Sequence, residues 1–123
     1  MANSQFRSKK KVSGGKYIAN RKKRLSDLAG LPALTEIGNK RIKVNRVKGG
    51  NVKRKLLSSE EVLVNENNKI IKLKIQGVNE NPANVNFTRR NIITKGSIVK
   101  TEKGNVKITS RPGQSGNLFG ILI

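Results

Sequence analysis

From Ile37 onward the apolar positions come singly or in short alternating runs, and β-branched residues dominate them. This is the pattern of strands and turns. Ile71, Leu73 and Ile75 alternate with Lys72 and Lys74, which predicts a strand with one buried and one wet face. Ile42 and Val44 flank Lys43 and lead to Val47, predicting an earlier strand. Lys48-Gly49-Gly50-Asn51 then turns the chain, Val52 to Leu57 returns it, and Val62 to Val64 starts a third strand. Asn65-Glu66-Asn67-Asn68 reads as a turn. Asn81-Pro82 ends the Ile71 run, because proline cannot donate to a ladder and biases the residue before it.

Further on, Ile92 and Ile93 lead to a turn at Lys95-Gly96. Ile98 opens a strand that ends near Glu102, Lys103-Gly104-Asn105 turns it, and Val106 and Ile108 bring it back. Arg111-Pro112-Gly113 suits a tight turn, and Leu118 to Ile123, apolar to its last residue, reads as a buried final strand. Phe87 and Phe119 read as core. Helix signals are few: Ser26 or Asp27 could cap a short turn through Leu31, which Gly30 and Pro32 stop. Many short strands of this kind predict a mainly β fold, a small closed or nearly closed β-barrel whose closure removes sticky edges.

The 123 residues leave no room for two ordinary domains, which run to ~100–200 residues each. Hydrophobic residues make up 34% of the chain, below the usual ~45–50% that also counts glycine, so part of the chain is expected outside a packed core. Charge says which part. Residues 1–24 hold nine basic side chains, Arg7, Lys9, Lys10, Lys11, Lys16, Arg21, Lys22, Lys23 and Arg24, before the first acid at Asp27. Like charge with few apolar residues cannot repay its ordering entropy. Residues 1–34 therefore read as a basic, largely disordered N-terminal extension with a joint at Gly14-Gly15, and residues 35–123 as the barrel.

A second acid-free block, Lys40, Arg41, Lys43, Arg46, Lys48, Lys53, Arg54 and Lys55, is interleaved with apolar residues and can belong to the folded part. Five of the seven acids come later. A single charge run is ordinarily a solvated face. A net charge of +20 with both acid-free blocks in one half exceeds what solubility needs, and it points to a polyanionic partner.

Histidine and cysteine are absent, which removes imidazole relays, thiol nucleophiles, disulfides and Cys/His metal sites. Glu60 and Glu61 are adjacent, so on a strand they would point to opposite faces. Gly14-Gly15-Lys16 lacks the spacing of a phosphate-binding loop, and Asn86-Phe87-Thr88 reads as a chance glycosylation tripeptide. No apolar run approaches the ~18–20 residues of a membrane span, and the basic, polar start is not a signal peptide. No enzyme, metal, cofactor, small-molecule substrate or membrane is expected.

Three phenylalanines and one tyrosine offer few stacking platforms, so backbone and shape recognition of structured nucleic acid is expected over base reading on an aromatic sheet. Arg89 and Arg90, beside Asn91 and after the Asn-Pro loop, suit bidentate phosphate contact. Lys95 and Arg111 sit in turns, Arg111 with an internal ion pair as its competing role. Gly49 and Gly50, beside Lys48 and Asn51, let backbone approach a ligand closely.

Several stretches taken together go further. Lys9-Lys10-Lys11-Val12-Ser13-Gly14-Gly15-Lys16 precedes Arg21-Lys22-Lys23-Arg24, then Thr35-Glu36-Ile37-Gly38 and Val47-Lys48-Gly49-Gly50-Asn51. Asn79-Glu80-Asn81-Pro82-Ala83-Asn84, Thr88-Arg89-Arg90-Asn91-Ile92-Ile93-Thr94-Lys95-Gly96 and Thr109-Ser110-Arg111-Pro112-Gly113-Gln114 follow. In this order the chain resembles the S8e family of small-subunit ribosomal proteins, in its short archaeal form. A common aromatic of that family just before Arg89-Arg90 looks shifted, with Phe87 and then Thr88 here.

The resemblance implies a structural constituent of the small ribosomal subunit, in the cytoplasm, that binds small-subunit ribosomal RNA directly and touches neighbouring ribosomal proteins. It implies a barrel body whose N-terminal extension threads into RNA, with Gly14-Gly15 and Gly49-Gly50 letting backbone pass phosphates. The free protein is expected to be a monomer. An assembly factor of the same domain family and, further off, a DNA-packaging protein are the alternatives.

Overall fold

The computed structural model describes residues 4–66 and 69–123, and the chain divides into two compact units, Met1–Pro32 and Ala33–Ile123. The expected turn at Asn65–Asn68 lies partly outside the described residues.

The larger unit begins with an antiparallel pair, β1 (Arg41–Arg46) and β2 (Val52–Ser58), which forms a sheet of its own. The closed barrel is β3 (Glu61–Glu66), β4 (Lys69–Glu80), β5 (Ile98–Thr101), β6 (Gly104–Ile108) and β7 (Phe119–Leu122). The neighbours are antiparallel except for the closing pair, β3 with β7, which is parallel at Leu63–Phe119 and Val64–Gly120. The expected closed barrel is thus present, in five strands, with the first two predicted strands standing outside it.

The core follows from alternation. Val62 and Val64 of β3, Leu73 and Ile75 of β4, Val99 of β5 and Val106 and Ile108 of β6 point inward and are buried, and Leu56, Val78, Ile93 and Leu118 complete the cluster. On β4 the inward positions change parity, from Ile75 to Val78. The pairing with β5 shifts register between Ile75 and Gly77, and this bulge turns Val78 to the interior.

Two expectations are corrected at the C-terminal strand. Phe119 is 40% exposed and Ile121 59% exposed, because the odd positions of β7 point outward. The inward residue is Gly120, and a Cβ there would overlap Val106 Cγ1 and stand 3.0 Å from the Lys107 carbonyl oxygen. The barrel closes where β7 offers bare backbone at Gly120, with Leu122 packed against the core beyond it. Phe87 is only half-buried, and no aromatic belongs to the core cluster.

Two short helices appear where turns or nothing helical were expected. α1 (Val85–Arg89) starts at Asn84, whose side-chain oxygen accepts from the Asn86 amide at 2.9 Å, an N-cap of the residue type that favours this position. α2 (Pro112–Ser115) is one turn with proline at its start, ending at Gly116 with φ 73°. In the N-terminal unit a 3-10 turn covers Leu25–Asp27 with Arg24 at its N-cap, so Ser26 and Asp27, the expected caps, lie inside it and it ends before Leu31.

Gly120→Ala should lower unfolding stability by about 1–3 kcal/mol in urea titration, the scale of overpacking a filled interior. Adding Val106→Ala should recover part of that loss, since one of the two methyls removed is the Cγ1 that the new Cβ strikes.

Candidate nucleic-acid interface

The eight cations of the second acid-free block lie on or beside the β1–β2 ribbon, not on the barrel wall. The ribbon turns through a 3-10 segment at Lys48–Gly50, where Gly49 (φ 72°) and Gly50 (φ 74°) take backbone conformations that a Cβ would strain. The Val47 amide donates to the Asn51 carbonyl at 2.8 Å and the Asn51 side chain donates to the Lys48 carbonyl at 3.3 Å, closing the tip. Asn51 therefore shapes the turn.

Strand register sorts the side chains onto two faces. Lys43 stands opposite Lys55, and Asn45 opposite Lys53, on one face. Like charges directly opposite destabilise a ribbon, and no ion pair involves these lysines among the described residues.

The ribbon holds its shape because its base is locked. Leu56 is fully buried, and its carbonyl accepts from Thr35 Oγ1 at 2.7 Å. Arg41 Nε donates to Ser58 Oγ at 3.1 Å, Ser58 Oγ to the Asn39 carbonyl, and Lys40 Nζ to Asn117 Oδ1 at 3.1 Å. Gly116 lets the end of α2 lie against β2, for a Cβ there would come within 2.8 Å of Arg54 Cβ. The outer edge of β2 is bridged by Glu36 and Ser115.

Arg89 and Arg90 are exposed at the end of α1, and the loop before them is organised by Asn81, which is 4% exposed. Asn81 Nδ2 donates to the Ile92 carbonyl at 2.9 Å, while its oxygen accepts from the Ala83 amide at 3.1 Å and from Thr94 Oγ1 at 2.9 Å. Asn91 adopts φ 51°, and its side-chain oxygen accepts from the Val78 amide at 3.3 Å, so this carboxamide supports the β4 bulge. Lys95 is exposed at the turn before Gly96 (φ 87°). Arg111 is exposed at the start of α2, its carbonyl accepting from Gln114 and Ser115, and it forms no ion pair among the described residues.

In the N-terminal unit, residues 9–17 make a small hairpin. The Lys11 amide donates to the Gly15 carbonyl at 2.7 Å, Lys10 bridges Lys16, and Gly14 sits at φ 83°. Lys9, Lys10, Lys11 and Lys16 are gathered by it. Two arginines there have partners the sequence reading missed: Arg7 lies 3.7 Å from the Tyr17 ring centre, and Arg21 lies 4.5 Å from that of Phe6. Arg21 also holds Asp27 at 2.6 Å, and this hydrogen bond lowers the Asp27 pKa below its ordinary value. Lys22, Lys23 and Arg24 are exposed.

Lys72 and Lys74 are among the exposed positions of β4, on the wet face that the alternation predicts. Glu60 needs a correction: it precedes β3, so it does not oppose Glu61 across a strand, and both border one cleft of about 230 Å³ with Lys40 and Lys72. Among the described residues no group of histidine, cysteine or acidic side chains could hold a metal ion, and no helix is long and apolar enough to cross a membrane.

Residues 4–123 match the family described as ribosomal protein S8e. The chain is 47% identical to the "Small ribosomal subunit protein eS8" of Methanobrevibacter smithii over 125 aligned positions, covering 100% of both chains. It is 45% identical to the protein of that name from Methanocorpusculum labreanum, covering 97% of each. For the one from Nanoarchaeum equitans the identity is 46%, covering 97% of this chain and 95% of the other.

A carboxylate whose pKa is lowered by folding stabilises above its unfolded value, ~3.9 for aspartate, and that contribution disappears as pH falls through the lowered value. Tyr17 is the single tyrosine and the chain has no tryptophan, so near-UV tyrosine bands report on the N-terminal unit. These bands should hold from pH 7 to about 5 and change below about 4. Asp27→Asn should show the altered bands already at pH 7.

Proposed function

The chain belongs to the S8e family of ribosomal proteins, and from that premise we propose that it is a structural constituent of the small ribosomal subunit that binds small-subunit ribosomal RNA. Its place is then the ribosome, in the cytoplasm, and its partners are that RNA and neighbouring ribosomal proteins. It performs no turnover, in keeping with its family.

One observation carries the RNA reading. The β1–β2 ribbon places Lys43 against Lys55 on a rigid base, with no acid between Lys40 and Lys55. Two ammonium groups held together in water cost free energy, and a phosphate between them reverses the sign. Phosphate contact releases condensed counterions, which supplies much of the binding free energy and makes it salt-dependent. Lys48, Gly49 and Gly50 at the tip, Arg46 and Lys53 beside it, and Arg89, Arg90, Lys95 and Arg111 on the barrel unit are the further contacts we assign to RNA.

The basic N-terminal unit, with Arg7, the hairpin lysines and Lys22 to Arg24, adds phosphate contacts of its own. The exposed edge of β1 carries Arg41, Lys43 and Arg46, charges that oppose strand-to-strand association and suit a monomer when free.

Sucrose-gradient sedimentation of cell extract tests the reading. The protein should remain in mature small subunits and translating ribosomes after a high-salt wash. Confinement to precursor particles would make it an assembly factor, and sedimentation with the chromosome would make it a DNA-packaging protein. With purified RNA, Lys43→Gln together with Lys55→Gln should reduce the slope of log affinity against log salt by about 2, roughly one per lysine.

A further inference from the structure

The lysine face is one side of the ribbon. The other side, by the same register, pairs Ile42 with Leu56, Val44 with Arg54 and Arg46 with Val52. Leu56 is buried at the base, but Ile42 is 39%, Val52 55% and Val44 61% exposed. A patch of branched aliphatic side chains thus stands open toward the tip, chequered with two arginines. The two faces differ in kind: lysines and an asparagine on one, aliphatics and arginines on the other.

That division has a chemical meaning. An ammonium is a compact, strongly hydrated point charge suited to phosphate. A guanidinium is planar, weakly hydrated and stacks on flat rings. Branched aliphatics beside guanidinium planes make a surface for something both apolar and anionic. A protein partner would have to bring an apolar patch and separate carboxylates. A nucleotide carries a flat apolar ring and a phosphate in one unit.

The shape of the ribbon narrows the RNA. The major groove of an A-form duplex is deep and too narrow for side chains to read, and its bases are stacked away. A duplex can therefore meet only one face of the ribbon. Both faces are satisfied together where strands part, at an internal loop, bulge or junction.

We propose that the β1–β2 ribbon inserts into an irregular, partly unpaired site in RNA. Its Lys43, Lys53 and Lys55 face takes the phosphates of one strand. Val44 and Val52, with Arg46 and Arg54, receive unstacked bases from the other side. This rests on the RNA-binding reading above and goes beyond it, by naming unpaired nucleotides as the ligand of the second face.

The test uses the full-length protein with two conservative double variants, Val44→Thr with Val52→Thr, and Arg46→Lys with Arg54→Lys. The first keeps β-branching and the second keeps charge, and all four positions are exposed, so the urea midpoint should be that of the parent. Binding is measured to small-subunit ribosomal RNA and to a perfect RNA duplex of equal length, at several salt concentrations. Dimethyl sulfate reactivity of the bases is read in each complex.

Both variants should lose roughly tenfold on ribosomal RNA, the scale of an apolar methyl contact or a guanidinium stack lost at two positions, with an unchanged salt slope and unchanged affinity for the duplex. Bases shielded by the parent protein should become reactive. Parent-like binding with the same shielded bases would overturn the proposal while leaving RNA binding intact. Normal RNA binding combined with loss from salt-washed subunits would also overturn it, assigning the face to a protein neighbour. If the parent protein binds ribosomal RNA no better than the duplex, the RNA reading itself falls and this proposal with it.

Discussion

β7 meets β3 in parallel at Leu63–Phe119 and Val64–Gly120, and this short seam is what the barrel unit depends on. It forms because Gly120 offers no side chain inward, leaving that space to Val106. With the seam closed, Leu118 is carried into the core and Gly116 is set against Arg54. Ser115 and Gly116, a few residues before the seam, thereby lie against the outer edge of β2, which Glu36 bridges as well. The ribbon is held by the barrel's closure, although it shares no sheet with it.

This linkage explains how so unfavourable a charge arrangement is kept in place. Lys43 and Lys55 would part if the ribbon were free to splay. The buried Leu56, the Thr35 hydroxyl on its carbonyl and the Arg41–Ser58–Asn39 chain prevent that at the base. Stability made in the apolar interior is used to hold cations close together in water. Such preorganisation means an anionic partner meets charges already placed, and little side-chain and backbone entropy is lost at binding. In the N-terminal unit the means are different: aromatic rings and one carboxylate fix Arg7 and Arg21, and a glycine turn gathers the lysines.

Much of this was legible from residues in order. Ile71, Leu73 and Ile75 announced β4, Lys103-Gly104 announced the β5–β6 hairpin, and the glycine pair at 49–50 announced the ribbon tip. What escaped depended on partners distant in sequence. Phe119 was read as core because it is large and apolar, yet strand parity at the seam turned it outward and gave the interior to Gly120. Asn91 was read only as the neighbour of the arginine pair, whereas its side-chain oxygen accepts from the Val78 amide in the β4 bulge, thirteen positions back. The separation of β1 and β2 from the barrel left no trace in local pattern, since their alternation is that of any strand.

The sequence by itself determined the class of the fold and the sign of its partner. Period-two alternation, turn residues and a net charge of +20 are local or additive properties, and they survive any rearrangement of the chain in space. Only the tertiary structure decided which cations stand together, which strands close the barrel and which face of the ribbon is apolar. Those are matters of register and of contacts between residues such as Gly116 and Arg54, or Gly120 and Val106, whose interaction exists only once the chain has brought them into contact.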